Sequence, residues 1–264
     1  MFGRKSKQEV PEPRSDGLTD YDVYAMSRQE KIVTAAVAAA ALFAVGYIFY
    51  QSFILSAVLA LFAVKAPKIR TRQIIDKRKN RLTLQFKDML YSLSSALSVG
   101  KSVETGIRDA IQDLKVIYPD PETDILIELE YILRGISVSN TVEEMFDQFA
   151  QRAHLEDVRN FVDVFVTCKR TGGDLIEVMR STSNAISEKI EVKQEIASII
   201  SGKKYEFQVL MVMPVVMVLF LTLTSGDYMT PVFTTIVGRL TMTAAIMIFL
   251  FAYVLGSKIM KINI

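Results

Sequence analysis

The chain has 264 residues, half of them hydrophobic, and its charged side chains nearly cancel to a net charge of +2. Its only cysteine, Cys168, excludes an intramolecular disulfide and any CxxC metal or redox motif, and its only histidine, His154, excludes histidine-rich metal sites. Mean hydropathy is positive and the apolar residues are clustered in long runs, so the composition indicates a chain that crosses a membrane.

The first apolar run, residues 32–64, contains no charged side chain. A single helix of that length would reach about 50 Å, which is well beyond a hydrocarbon core of about 30 Å. Because Tyr50-Gln51-Ser52 is the most polar point of the run, we predict that the chain folds back there. The result is an N-terminal transmembrane hairpin over residues 32–69, with spans at 32–49 and 53–69.

Residues 1–31 are predicted to be a cytoplasmic tail, disordered in its proline- and charge-rich part. Lysine and arginine close to a span are retained on the cytoplasmic side, and such residues flank the first apolar run at both ends. A hairpin places both basic flanks on the cytoplasmic side. The alternative is a single span with the tail outside, which places six basic residues on the wrong face: Arg4, Lys5, Lys7, Arg14, Arg28 and Lys31.

Two further uncharged runs, residues 207–226 and 240–257, are each long enough to cross a bilayer. We predict that they form a C-terminal transmembrane hairpin over residues 206–257, followed by a short cytoplasmic tail, 258–264. The predicted fold class is therefore an all-α membrane protein, with four transmembrane helices arranged as two hairpins on either side of a helical domain.

The connection inside the second hairpin, residues 225–231, carries Asp227 and no basic residue, so it is predicted to be an outside loop. Arg239 is predicted to be an anchor at the outer interface. Both termini are then cytoplasmic. The spans hold almost no ionisable residues, which disfavours a transport pathway.

Residues 70–205, between the hairpins, are predicted to form a cytoplasmic bundle of about six helices, because apolar residues recur at steps of three and four. Leu82, Phe86, Leu90 and Leu93 belong to one such stripe. The last helix is predicted to run from Asp174 into the third span without a break before Pro214. Predicted helix boundaries lie at Gly100, Ser102, Pro119, Pro121, 139–141, Gly172 and Gly173.

Charge is segregated along this domain. Residues 65–101 hold ten basic and two acidic side chains, whereas residues 103–163 hold fourteen acidic and five basic ones. The basic end is predicted to contact anionic lipid headgroups rather than nucleic acid. The carboxylates of the acidic part are predicted to lie on solvated helix faces, among them the clusters Glu128/Glu130, Glu143/Glu144/Asp147 and Glu156/Asp157.

No catalytic, cofactor or metal site is predicted. Gly100-Lys101-Ser102 matches the end of the phosphate-binding loop GxxxxGK[ST], but Ser95 stands where the first glycine belongs and the preceding residues have helical rather than strand periodicity. Cys168 is predicted to be a buried structural thiol. His154 is predicted to be a surface or helix-capping residue.

Two stretches carry a family resemblance. Residues 86–103 form a helix ending in a small-residue, glycine and serine turn, and residues 171–178 read Thr-Gly-Gly-Asp-Leu-Ile-Glu-Val. With the order of the hairpins, they resemble the F-domain platform proteins of type II secretion and type IV pilus systems, most closely the tight-adherence (Tad, Flp pilus) branch. Ser98 and Val99 depart from the alanine common in the family. The family-motif positions, interpreted as structural turns, are Gly100, Ser102, Gly172, Gly173, Asp174, Leu175, Glu177 and Pro214.

The resemblance implies a non-enzymatic inner-membrane platform that couples a cytoplasmic secretion ATPase to the assembly of pilin or pseudopilin subunits. It further implies an oligomer with itself or with a related platform protein, contact with the lipid bilayer, no cofactor and no nucleic acid. The alternatives are a membrane transporter and a membrane signalling protein.

Overall fold

The computed structural model describes residues 18–260 of the chain. Every regular element within that range is helical, which confirms the predicted all-α class. In chain order the helices are α1 (Arg28–Tyr50), α2 (Phe53–Ala60), a 3-10 helix (Leu61–Lys65), α3 (Ala66–Ser98), α4 (Val103–Ile117), α5 (Asp124–Ser137), α6 (Val142–Ala153), α7 (Glu156–Thr171), α8 (Leu175–Thr224), α9 (Gly226–Thr234) and α10 (Ile236–Met260).

The chain divides into two compact units. Of the described residues, the bundle unit contains 18–26 and Thr71–Glu191, and the apolar unit contains Ser27–Arg70 and 192–260. Helix α8 contributes residues to both units and continues through Pro214 without interruption. The prediction of an unbroken helix before Pro214 is confirmed, whereas the domain boundaries at residues 70 and 205 stay predictions.

The core of the bundle unit is built from the apolar stripes seen in the sequence. Leu82, Leu90 and Leu93 of α3 are fully buried. Their burial removes apolar surface from water, which is the main favourable term in folding. Around them lies a cluster of buried aromatic side chains, several in edge-to-face pairs: Phe86, Phe146, Phe149, Phe161 and Phe165.

Side-chain capping fixes the start of α6. The Glu144 amide donates to the Thr141 hydroxyl at 3.2 Å, and the Thr141 amide donates to the Glu144 carboxylate at 3.0 Å. This reciprocal pair satisfies two backbone donors that the helix itself leaves without partners. The helix start predicted within residues 139–141 is thereby confirmed.

The N-terminal segment, residues 18–26, differs from the predicted disordered tail. Leu18, Tyr21 and Met26 are all buried in the bundle unit. We call these nine residues the strap. Their partners are distant in sequence, 45 residues away for Met26 and Thr71 and 103 residues away for Tyr21 and Asp124, so a composition-based prediction could not detect them. The rest of that prediction, residues 1–17, lies outside the described range.

In the apolar unit the chain reverses at the tripeptide that the sequence indicates. Helix α1 ends at Tyr50, Gln51 adopts a left-handed conformation with φ of 44°, and α2 begins at Phe53. The two helices pack closely: the Phe43 and Phe53 rings meet edge to face at 5.2 Å. A Cβ added at Gly46 would lie 3.0 Å from the Ser56 Cα, so a larger residue does not fit there without a shift.

The second arm of this turn is helical over its whole predicted range, residues 53–69. Residues 53–69 are not one α-helix, because α2 has 8 residues and the 3-10 helix after it has 5. With residues 66–69 of α3 the arm extends about 28 Å, close to a hydrocarbon core of about 30 Å. Within the described residues three helices are long and apolar enough to cross a membrane: α1, α8 and the Ile236–Ile259 part of α10. The four-span arrangement stays a prediction.

The predicted outside loop, residues 225–231, is mostly helical, since α9 begins at Gly226. Its hydroxyl side chains donate back along the helix, as Thr230 does to the Gly226 carbonyl at 2.9 Å. After α9, the Arg239 guanidinium donates to the Phe233 carbonyl at 2.9 Å. This contact fixes the position of Arg239 at the start of α10, while its role as an interfacial anchor stays a prediction.

Candidate functional site

The first motif turn connects α3 to α4. Gly100 has a φ of +83°, a conformation that L side chains adopt only at a cost, and its amide donates to the Leu97 carbonyl at 2.9 Å. Ser102 then caps α4, because its hydroxyl accepts a hydrogen bond from the Thr105 amide at 3.3 Å. Both residues therefore act on the backbone of a helix junction.

Lys101, between these two residues, has no phosphate-binding geometry. Its Nζ lies 2.5 Å from Asp109 Oδ2. The residues before it are helical through Ser98, whereas a phosphate-binding loop follows a strand. The turn is a helix junction with a surface ion pair.

The second motif turn connects α7 to α8. Gly172 ends α7 in the left-handed region with φ of +73°. At Gly173 the available space favours glycine, because an added Cβ would lie 3.2 Å from the Cys168 Sγ. Asp174 caps α8, where its carboxylate accepts hydrogen bonds from the Ile176 amide at 2.9 Å and the Glu177 amide at 3.2 Å.

The remaining motif residues lie along α8. Leu175 packs against the buried core of the bundle unit, the Glu177 side chain is exposed, and Pro214 lies inside the helix. Within residues 18–260 no hydrogen bond or ion pair joins the Gly100 turn to the Gly172 turn. The motif residues thus form two separate helix junctions and one helix-interior proline.

Replacing Gly172 with alanine is expected to lower the free energy of unfolding by about 1 kcal/mol, because a Cβ disfavours φ of +73°. Thermal unfolding of the detergent-solubilised chain, followed by circular dichroism, measures the change. Gly202→Ala is the matched control. Gly202 lies inside α8 with no atom within 4 Å of an added Cβ, so alanine there should be neutral or stabilising by up to about 1 kcal/mol. Equal losses in both variants would contradict this account.

A buried charged pair lies in the bundle unit where sequence analysis predicted solvated carboxylates. The Arg152 Nη2 lies 2.6 Å from Glu128 Oε2, and the two side chains are only 4% and 1% exposed. The Arg152 guanidinium also lies over the Tyr131 ring, 5.0 Å from its centroid. The prediction is therefore wrong for Glu128, while Glu130 lies at the surface and pairs with Lys115.

The sequence contains a signal that Glu128 is buried. It lies three residues after Ile125 and four before Ile132, on the same face of α5, and both isoleucines are fully buried. A carboxylate on such a face must find a partner, because an isolated buried charge is costly. Burial raises the pKa of the Glu128 carboxyl, and the hydrogen bond and charge of Arg152 oppose that increase.

A second ion pair lies beside the first one. Arg78 of α3 donates to Asp124 of α5 through Nη2 at 2.5 Å and through Nε at 3.3 Å. The same guanidinium lies 4.8 Å from the ring centroid of Tyr21 in the strap. Burial, followed by the nearby charges of Glu128 and Asp124, raises the pKa of the Tyr21 phenol well above its usual range, so the hydroxyl stays protonated.

The lone histidine and cysteine have structural positions. His154 ends α6 with φ of 48°, and its Nε2 lies 3.0 Å from Asp20 Oδ1; its predicted capping role is confirmed. Cys168 is half-buried rather than buried, because it lies in the last turn of α7 beside Gly173, beyond the aromatic core.

Among the described residues no group of three or more histidine, cysteine or acidic side chains could hold a metal ion.

Comparison with protein-family models matches residues 89–223 to the family described as type II secretion system (T2SS), protein F. The matched stretch is just over half of the chain. It begins in α3, contains both motif turns and ends near the end of α8. Comparison with curated proteins and with solved structures found no match.

Proposed function

The chain belongs to the type II secretion system protein F family, and on that premise we propose that it is the inner-membrane platform of a Tad/Flp-type pilus assembly machine. Members of this family are non-catalytic membrane platform proteins, found in type II secretion and type IV pilus-like systems. The platform would couple a cytoplasmic secretion ATPase to the insertion of pilin or pseudopilin subunits, working as an oligomer with itself or with a related protein.

The observation that carries this proposal is the match over residues 89–223, because it joins a polar helical bundle and a long apolar helix in one family domain. Two features support it. The motif residues cap helices and leave no reactive group poised for chemistry, and the apolar helices α1, α8 and α10 indicate an inner-membrane protein. The acidic part of the bundle, residues 103–163, is the proposed docking region for the ATPase.

The purified protein is expected to hydrolyse no ATP. When the candidate secretion ATPase is added, wild type and Lys101→Ala should support the same rate, because Lys101 makes a surface ion pair worth at most about 1 kcal/mol. The measurement is phosphate release in detergent, together with co-purification of the ATPase and pilin. Intrinsic hydrolysis that disappears in Lys101→Ala would contradict the platform proposal, and so would ATP-independent solute uptake into vesicles.

The proposed topology has both termini in the cytoplasm. In a Cys168→Ser background, single cysteines at Ser15, Ser102 and Ser257 should be protected from an impermeant thiol reagent in intact cells, whereas one at Ser225 should be labelled. The reason is the basic flanks of the apolar runs and the acidic connection near Asp227. Permeabilised cells are the control, in which all four positions should react. Labelling of Ser15→Cys in intact cells would rule out the N-terminal hairpin.

A further inference from the structure

The strap, residues 18–26, occupies a cleft formed by α3, α5 and α6. Its central residue, Tyr21, is 2% exposed, and the Tyr21 amide donates to the Arg152 carbonyl at 3.1 Å. The phenol oxygen lies 3.5 Å from the Asp124 carbonyl oxygen. Ring, hydroxyl and backbone of this one residue are therefore each contacted by a different part of the cleft.

The cleft is built around an aromatic ring. Arg78 covers the Tyr21 ring at 4.8 Å, and Asp124 holds the Arg78 guanidinium in place through two hydrogen bonds. A guanidinium over the face of an aromatic ring is attracted by the ring quadrupole, and this attraction strengthens where water is excluded. The Tyr21 amide donates to the carbonyl of Arg152, whose side chain forms the buried pair with Glu128. An aliphatic side chain at residue 21 would offer the Arg78 guanidinium no ring face and the Asp124 carbonyl no hydroxyl donor.

Both neighbours of Tyr21 are acidic, and both meet basic groups. Asp20 Oδ1 lies 3.0 Å from His154 Nε2, and Asp22 Oδ1 lies 2.5 Å from Lys79 Nζ. By contrast Val23, the next residue, is exposed. The ion pairs and ring contacts of the strap are thus concentrated in three consecutive residues of acid–aromatic–acid chemistry. A few buried anchor residues commonly carry most of the binding energy of an interface.

We propose that this cleft is a binding site for an extended acidic peptide with a central tyrosine, and that residues 20–22 are its resident, displaceable ligand. A partner segment of the same chemistry has to displace the strap in order to bind. The strap contains no helix or strand of its own, so it can leave the cleft without unfolding a regular element. The inference goes beyond the platform proposal and does not depend on it.

The test is peptide binding to the full chain in lipid nanodiscs. A fluorescein-labelled peptide with the sequence of residues 18–26 is titrated against wild type and against Tyr21→Ala, and fluorescence anisotropy is recorded. Tyr21→Ala vacates the cleft, so we expect it to bind the peptide at least tenfold more tightly than wild type does. Equal affinity of the two chains, or no binding by a folded Tyr21→Ala chain, overturns the proposal.

Variants made in the peptide leave the protein unchanged. The Tyr21→Ala peptide should bind at least tenfold more weakly and the Asp22→Asn peptide several-fold more weakly, whereas the Val23→Ala peptide is the matched control and should bind normally. Equal affinity of the Tyr21→Ala and Val23→Ala peptides overturns the proposal, because it would show that the tyrosine is not recognised.

A second experiment does not need the Tyr21→Ala chain to fold. In a Cys168→Ser background, Asp22→Cys and Lys79→Cys are joined by a bismaleimide cross-linker, which holds the strap in the cleft. The Asp22–Lys79 ion pair is lost for the strap and for the peptide alike, so excess peptide should still bind the chain before cross-linking and should lose at least nine-tenths of that binding afterwards. Undiminished binding to the cross-linked chain, or none to either form, overturns the proposal.

Discussion

Replacing Arg152 with methionine is expected to lower the free energy of unfolding by about 3–5 kcal/mol, because it leaves the Glu128 carboxylate buried without a partner. The loss is large because both side chains are almost fully excluded from water. Chemical or thermal unfolding of the chain in detergent, followed by circular dichroism, measures it. A fall in melting temperature of roughly 6–20 °C corresponds to that loss in a domain of this size.

The double variant Arg152→Met/Glu128→Leu is the matched control. Replacing both members of a buried ion pair by apolar residues of similar volume is often neutral or stabilising, so the double variant should recover most of the lost stability. If the double variant is as unstable as Arg152→Met alone, the cost arises from the shape of residue 152 and not from the unpaired charge on Glu128.

The defect of Arg152→Met should also shrink on acidification. Burial raises the pKa of Glu128, and removing Arg152 removes the hydrogen bond and charge that oppose this increase. When the pKa of a carboxyl is higher in the folded than in the unfolded chain, the folded state loses stability as the pH rises through the folded pKa. Below the unfolded pKa of about 4.5 the carboxyl is protonated in both states and has no such effect. The stability difference from wild type should therefore be smaller at pH 5 than at pH 7; an unchanged difference would contradict the assignment.

Truncating Phe161 to alanine is expected to cost about 3–5 kcal/mol of unfolding free energy. Its ring lies at the centre of the aromatic cluster, with centroid distances of 5.5 Å to Phe86, 5.8 Å to Phe146 and 5.6 Å to Phe165. Alanine leaves a cavity among side chains on three different helices, which cannot all move inward to fill it. The measurement is the midpoint of unfolding by denaturant.

Val164→Ala is the control for Phe161→Ala, since Val164 lies on the same helix, α7, but is 48% exposed. Its truncation should change stability by less than about 0.5 kcal/mol. Comparable losses in the two variants would contradict the assignment of the loss to packing of the aromatic cluster, because alanine favours the helix at both positions.

Local patterns predicted much of the bundle. The stripe through Leu82, Leu90 and Leu93 follows the helical period and is buried, and the N-cap at Ser102 follows from its serine and the charged turn after it. The sequence predicts a helix boundary at both Gly172 and Gly173 without distinguishing their roles. In the structure glycine is required at the two positions for different reasons. The positive φ disfavours any other residue at Gly172, whereas an added Cβ at Gly173 would contact Cys168.

Long-range partners account for what the sequence could not predict. Glu128 lies on the apolar face of α5, but nothing local indicates that Arg152 of α6 neutralises it. Asp20, Tyr21 and Asp22 belong to a polar, charged segment that composition assigns to a disordered tail. Tertiary contacts order the strap, among them those of these residues with Arg78, Lys79 and His154, and such contacts leave no periodic signal.

The strap also constrains how the protein is made. Tyr21 and Asp124 are 103 residues apart in the chain. At about 5–20 residues per second, a ribosome synthesises the second roughly 5–20 s after the first. Tyr21 leaves the ribosome before α1, and during that interval the helices that bind it do not yet exist. The first-made part of the described chain therefore completes its tertiary structure late, only after translation has passed Arg152 of α6, whose carbonyl accepts the hydrogen bond of the Tyr21 amide.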